Sequence, residues 1–301
     1  MRPVIAPPSV LLSALFLVPI LTTAARGQDA PGVQGTEAQG TEAQGTGVQG
    51  TPKTRDADEL AKQLANPVAS LISVPLQLNW DTGYGSHDDG DRWTLNLQPV
   101  VPIPLSESWN LISRTILPVI SQHNVTGIGQ TQGGLGDNTQ SFFFSPSQPG
   151  WGGWIWGVGP ALLLPTGRDG FTADQWCAGP TIVVLRQHNG WTYGLLANHL
   201  WNFSHHSEVP DVNLPDVNSS YYQPFLAWAV GPGATTSVNL ESTYDHERHA
   251  WTVPINVTYS QVAKVGPQLV SFGAGVRAYF TSPTDGPSWG LRLTITLLYP
   301  R

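Results

Sequence analysis

From Leu71 to the end of the chain, apolar and polar side chains alternate with a period of two. Trp93, Leu95 and Leu97 are interleaved with Thr94, Asn96 and Gln98; Trp251, Val253, Ile255, Val257 and Tyr259 with Thr252, Pro254, Asn256, Thr258 and Ser260. Val270 to Tyr279 and Trp289 to Tyr299 repeat the pattern. A period of two places successive side chains on opposite faces of a strand. These runs are about 9 to 12 residues long, whereas strands of soluble proteins are usually about 5–6. A tilted strand crossing a bilayer needs about 9–11 residues. The pattern predicts strands at 72–82, 92–101, 108–118, 137–145, 153–164, 175–185, 190–202, 220–230, 235–245, 251–261, 268–280 and 288–299. Their number is even, and short connections broadly alternate with longer ones at 122–137, 165–174 and 204–219. The expected fold is therefore all-β, a transmembrane antiparallel β-barrel of about 12 strands spanning residues 67–301.

Tryptophan positions give an independent reading. On this map Trp80, Trp93, Trp176, Trp201, Trp251 and Trp289 fall at the external strand ends. Trp109, Trp154, Trp191, Trp228 and Tyr299 fall at the periplasmic ends. An indole is satisfied at a membrane–water interface, where its apolar body and N–H donor both find partners. The core of a soluble β-protein would place these residues mid-strand.

The N-terminal region follows a different logic. Arg2, the apolar run Val10 to Leu21 and the small residues Thr22 to Gly27 read as a cleaved signal peptide over residues 1–27. Residues 28–54 carry a short Gly/Gln/Thr repeat, too poor in apolar side chains to fold, and read as a flexible tether. Residues 55–66 are expected to form a short helix that is a candidate plug, with acidic residues in its first turn and Asn66-Pro67 ending it.

Composition narrows the function. Charged residues are 12% of the chain and the net charge is −7, which excludes nucleic acid as a partner because that needs clustered Lys and Arg. Hydrophobic residues reach only 40%, with no apolar run after Leu21 long enough for a membrane helix. A lone cysteine, Cys177, forms no internal disulfide, and neither a cofactor nor a metal is expected. His205-His206 with Glu208, and Asp245 to His249, read as solvated external loops.

Several segments resemble the outer-membrane family named for the meta-pathway of phenol degradation. They are Asn66-Pro67-Val68-Ala69-Ser70-Leu71-Ile72-Ser73-Val74-Pro75-Leu76-Gln77, Leu97 to Pro102, Trp109 to Pro118, Leu195 to Trp201, Gln223 to Leu226 and Leu297 to Pro300. The resemblance covers roughly residues 57 to 301 and omits the repeat. It implies a Gram-negative outer-membrane barrel commonly labelled a transporter, with no catalytic residues to carry over. Its expected partners are outer-membrane lipid, the barrel-assembly machinery and a small permeant. Tyr299 is followed by Pro300 and Arg301, so the aromatic residue with which such chains often end is not terminal here.

Alternation also sorts the lumen. Gln77, Asn79, Asn96, Gln98, Asn110, Arg114, Glu241, Arg277 and Arg292 are expected to point inward, mostly on one wall. Gly157, Gly159, Ala161, Leu163, Gly179, Thr181 and Val183 make a smoother, largely apolar wall opposite. The expected function is a channel or transporter for small apolar or aromatic molecules bearing a polar or acidic end, which the arginines would favour. Alternatively, Arg114, Arg277, Arg292 and Glu241 form an ion-pair network while the glycines accept a plug. Two other classes stand beside transport. A barrel lipase would need a serine facing outward beside His199, the only strand histidine, and none is evident. A barrel protease would draw on Asp211, Asp216, His246 and His249, and a structural or adhesive barrel on the tether.

Overall fold

The structure, a computed structural model, describes residues 52–205 and 215–300. The expected signal peptide, all but the last three residues of the expected tether, and the loop holding His206, Glu208 and Asp211 lie outside the described residues. One helix, α1 (Pro52–Leu64), precedes fifteen strands. These are β1 (Ile72–Tyr84), β2 (Gly90–Leu97), β3 (Val100–Pro104), β4 (Trp109–His123), β5 (Thr131–Leu135), β6 (Asn138–Pro146), β7 (Trp154–Leu164) and β8 (Gln175–His188). The remainder are β9 (Trp191–His205), β10 (Asn218–Gly231), β11 (Ala234–Leu240), β12 (Ser242–Asp245), β13 (Ala250–Val265), β14 (Gln268–Thr281) and β15 (Trp289–Tyr299).

Each strand pairs antiparallel with its neighbours, β9 with β10 and, at the seam, β15 with β1 from Ile72↔Tyr299 to Thr82↔Trp289. The sheet is thus closed. Two of the expected strands are interrupted, as β2/β3 and β11/β12, and the expected strand at 137–145 is preceded on its stave by an added segment, β5, so fifteen segments make twelve staves. Both interruptions follow from proline, which has no N–H to donate to a ladder. Pro99 separates β2 from β3, and Pro254 faces Glu241, between β11 and β12, and accepts its N–H in a one-way bond. Between β5 and β6 lies a bulge at Gly136-Asp137, where the Asp137 carboxylate accepts backbone N–H groups from Gly167 and Ala173 and so pins the 165–174 loop. The connection expected at 122–137 is correspondingly shorter, because β4 and β5 extend the hairpin to His123 and Thr131.

Burial is inverted relative to a soluble protein. Outward positions of β15 are bare, with Leu291, Leu293 and Ile295 at 43%, 56% and 44% exposure, whereas the inward Asn256 and Gln175 are fully buried. A wall facing hydrocarbon gains by presenting aliphatic side chains, and polar groups withdraw to the lumen. The indoles pair within both girdles: Trp80 with Trp93 and Trp289 at one end, Trp109 with Trp156 and Trp191 with Trp228 at the other.

Helix α1 starts at Pro52, earlier than expected, since proline suits a first helical position whose N–H lacks a partner anyway. Its first turn consequently holds no acidic residue. Asp58 instead accepts the Gly233 N–H at 2.6 Å, tying the helix to the β10–β11 turn. Leu60 and Ala61 are buried against Leu71, Val262 and Leu298, which seats the helix at the barrel end that carries the short turns. The side-chain oxygen of Asn66 accepts the Val68 N–H and turns the chain inward. Val68 then packs with Ile112, Phe143, Val183, Leu185 and Leu196.

Close approach constrains one glycine in particular. A Cβ on Gly179 of β8 would run into the carbonyl oxygen of His199 on β9. Replacing Gly179 by Leu is expected to destabilise the folded barrel by about 2 kcal/mol, in the range of overpacked sites. Urea unfolding in lipid vesicles, followed by tryptophan fluorescence, measures this; a Leu variant as stable as the parent contradicts the close approach.

Candidate functional site

The inward residues of β1, β4, β13, β14 and β15 enclose a chamber of about 320 Å³ just above the segment that follows α1. That volume is at the lower end of the range for small-molecule pockets, roughly 300–1,000 Å³. Gln77, Gln98, Arg114, Gln223, Asn239 and Arg292 give it a polar side, and Leu64, Pro67, Leu71, Val100 and Leu196 an apolar one. A wider external vestibule of about 420 Å³ is bordered by Arg92, Ile120, Phe171 and Arg248. Spaces of about 580 and 760 Å³ flank α1.

Charge is concentrated beside the chamber. Arg292 on β15 meets Glu241 through two parallel contacts of 2.8 Å and donates from Nε to Asn79 on β1, also at 2.8 Å. Such a fork-to-carboxylate geometry is the strongest form of ion pair. Arg277 on β14 pairs with Asp81 at 3.1 Å and approaches Glu241 at 3.8 Å. Both guanidiniums are less than a tenth exposed. Arg114 stands apart: its hydrogen bond runs to the Gln98 amide oxygen at 3.2 Å rather than to a carboxylate. The cluster of Arg114, Arg277 and Arg292 with Asp81 and Glu241 therefore carries one positive charge in excess.

The expected lumen residues fall into three groups. Asn79, Glu241, Arg277 and Arg292 come together in the network, and Gln77, Gln98 and Arg114 line the chamber. Asn96 lies opposite Gln77 in register, hence on the same face, and Asn110 borders the space beside α1. Sequence reasoning missed Asp81, although it shares the parity of Gln77 and Asn79. It also missed Arg92, whose Nε donates to Gln122 at 2.9 Å. On the smoother wall, Gly157 leaves room for Val68, with a Cβ there lying 3.4 Å from the Val68 side chain.

The outer wall requires a correction. Ser220 on β10 sits directly opposite His199 on β9, and its hydroxyl lies 2.8 Å from His199 Nδ1. An outward serine thus does stand beside His199, and His199 is not alone, since β4, β8 and β9 end on His123, His188 and His205; cross-strand register, not sequence proximity, brings serine and histidine together. His246 is also not simply solvated, since its Nε2 lies 2.9 Å from the same hydroxyl. Of the protease alternative, Asp211 lies outside the described residues, and Asp216 contacts Asn202 and His205.

A closed antiparallel barrel with an apolar exterior, aromatic girdles and a charged lumen defines an outer-membrane β-barrel. Residues 92–296 match the family described as "Putative MetA-pathway of phenol degradation", and the chain belongs to that family. No curated protein matches the chain. Among solved structures, an outer-membrane channel from Pseudomonas putida F1 is similar at 15% identity, with 76% of this chain and 96% of that one covered and a TM-score of 0.59. The Escherichia coli outer-membrane phospholipase A is similar at 9% identity over 75% of this chain and 90% of that one, with a TM-score of 0.44.

Neutralising Glu241 leaves Arg292 and Arg277 with Asp81 as their remaining carboxylate. The Glu241→Gln variant is expected to lose about 3 kcal/mol of stability, as when one partner of a buried pair is removed. Urea unfolding reads the loss, and a shift of the reversal potential toward anion preference reads the lumen charge. A stable variant with unchanged selectivity removes Glu241 from the network.

Proposed function

We propose that the protein is a non-enzymatic passage for small molecules with an apolar or aromatic body and one anionic or phenolic end. The chamber carries this reading. On one side it offers the Arg114 guanidinium flanked by Gln77 and Gln98; on the other, Leu71, Val100 and Leu196. A planar guanidinium recognises carboxylates and phenolates, while the aliphatic side accepts the ring or chain that water rejects. Arg277 and Arg292 are held by carboxylates, which leaves Arg114 as the arginine of this cluster that a permeant can engage.

In this reading α1 and the Asn66–Ser70 segment form the plug. They close the short-turn end below the chamber, and the spaces beside the helix provide the route past it. The Val68 contact with the glycine-lined wall supports this placement. The partners that follow are outer-membrane lipid around the wall, the machinery that assembles barrels, and the permeant itself.

Conductance in planar bilayers tests the passage, comparing the full chain with a form lacking residues 28–66. The full chain is expected to conduct weakly and the shortened one several-fold more. Uptake of benzoate into vesicles is expected to exceed that of a neutral sugar of similar size and to fall several-fold in Arg114→Ala. Silence in both forms, or uptake insensitive to Arg114, overturns the proposal.

A further inference from the structure

The His199–Ser220–His246 cluster has no place in the passage. It lies on the opposite face of the sheet from the lumen, because Ser220 alternates with the inward Tyr221, and His199 with the inward Asn198. Its surroundings are aromatic. The His199 ring is 5.1 Å from Trp201, and the His246 ring 4.7 Å from Tyr244, which itself packs 4.8 Å from Trp251. The cluster sits at the external girdle, partly on the lipid-facing wall, where an ionisable side chain is by default a candidate functional group. Ser220 is only 6% exposed, so its hydroxyl is enclosed by the two imidazoles rather than solvated.

The hydrogen-bond count is informative. A serine hydroxyl has one proton, so it donates to one imidazole nitrogen and accepts the N–H of the other. The two imidazoles therefore direct their nitrogens at one point, from β9 and from the turn after β12. The supports are rigid: His199, Ser220 and Tyr244 are in consecutive ladder register, and the His246 N–H is bound by the Asn218 carbonyl at 2.8 Å.

We propose that His199, Ser220 and His246 form an outer-wall binding site for a late transition-metal dication of the Zn²⁺ or Cu²⁺ type. Neutral imidazole is the preferred donor for these ions. Metal–nitrogen distances of about 2.0–2.1 Å in tetrahedral geometry place neighbouring donors about 3.3 Å apart. The spans to Ser220 Oγ, 2.8 and 2.9 Å, need to widen by only about half an ångström each, within reach of small side-chain rotations. The Ser220 proton then turns away, and its oxygen becomes the third donor. The remaining coordination position faces outward to water or a lipid oxygen. Among the described residues no three His, Cys, Asp or Glu side chains gather for a metal, so this is a two-imidazole chelate of moderate affinity.

A nucleophilic role fits the geometry less well. In a hydrolytic triad the third group orients the base, whereas here both histidines contact the same hydroxyl. Backbone N–H groups around Ser220 are committed to the β9 and β12 ladders, which leaves no donor pair for an oxyanion.

Titration of the full-length barrel in detergent micelles with Cu²⁺, read by electron paramagnetic resonance, tests the site. One bound ion of moderate affinity, with superhyperfine structure from two nitrogens, is expected. His199→Gln and His246→Gln should each remove one nitrogen coupling and weaken that binding by roughly tenfold, while heat-modifiable electrophoretic migration confirms folding. Ser220→Ala should keep both nitrogen couplings. Binding that is absent, or that survives unchanged in the double Gln variant and so belongs to other histidines, overturns the proposal. Release of fatty acid from phospholipid micelles that stops in Ser220→Ala also overturns it, because the serine would then be a nucleophile.

Discussion

Every backbone N–H and C=O inside hydrocarbon needs a protein partner, and in this chain the hydrogen-bonded seam between β15 and β1 completes that requirement. Without the seam, β1 and β15 would each present an unpaired edge to lipid. With it, the sheet has no edge, and the side chains inherit a fixed assignment. Even positions of β15 meet the lumen and odd positions meet lipid, because a strand has only two faces. The same constraint explains why the ladder tolerates Pro99 and Pro254: each costs a local bond, yet neighbouring pairs on both sides hold the stave in register.

Inside such a wall, polar groups cannot escape to water as they would on a soluble surface, so they must satisfy one another. Arg292, Asn79 and Glu241 do so from three separate staves, and Arg277 and Asp81 add a second pair. The network draws charges out of the chamber and fixes its upper side, while Val68 and the α1 segment fix the lower. Arg114 is the exception that gives the chamber its sign.

The strand map, the lumen parity and the girdles were legible in the sequence because all three depend on the period-two pattern, which the barrel imposes locally. Asp81 and Arg92 were readable on the same basis but lie near stave ends, where alternation gives way to turn chemistry at Gly83 and Gly85. The helix starts before the position that the sequence suggests because Asp56 and Asp58 resemble first-turn acids, whereas Asp58 serves the β10–β11 turn. The His199–Ser220–His246 cluster was not legible, since it depends on register across one hairpin and on a turn from another stave. No periodic signal encodes either offset. The coverage of residues 92–296 by the family match leaves α1 and all of β1 to be understood from contacts alone.

The hydrogen bond between Arg292 and Asn79 links residues 213 positions apart in the chain. Its position gives closure a means of checking itself. Were the last stave to dock one residue out of step, Arg292 would swing from the lumen into the bilayer, an error of about 2–4 kcal/mol at the midplane. A slip of two residues would restore the face but separate the guanidinium from both the Asn79 amide and the Glu241 carboxylate. The charges that shape the chamber thus also favour one alignment of the seam, the one in which Ile72 meets Tyr299.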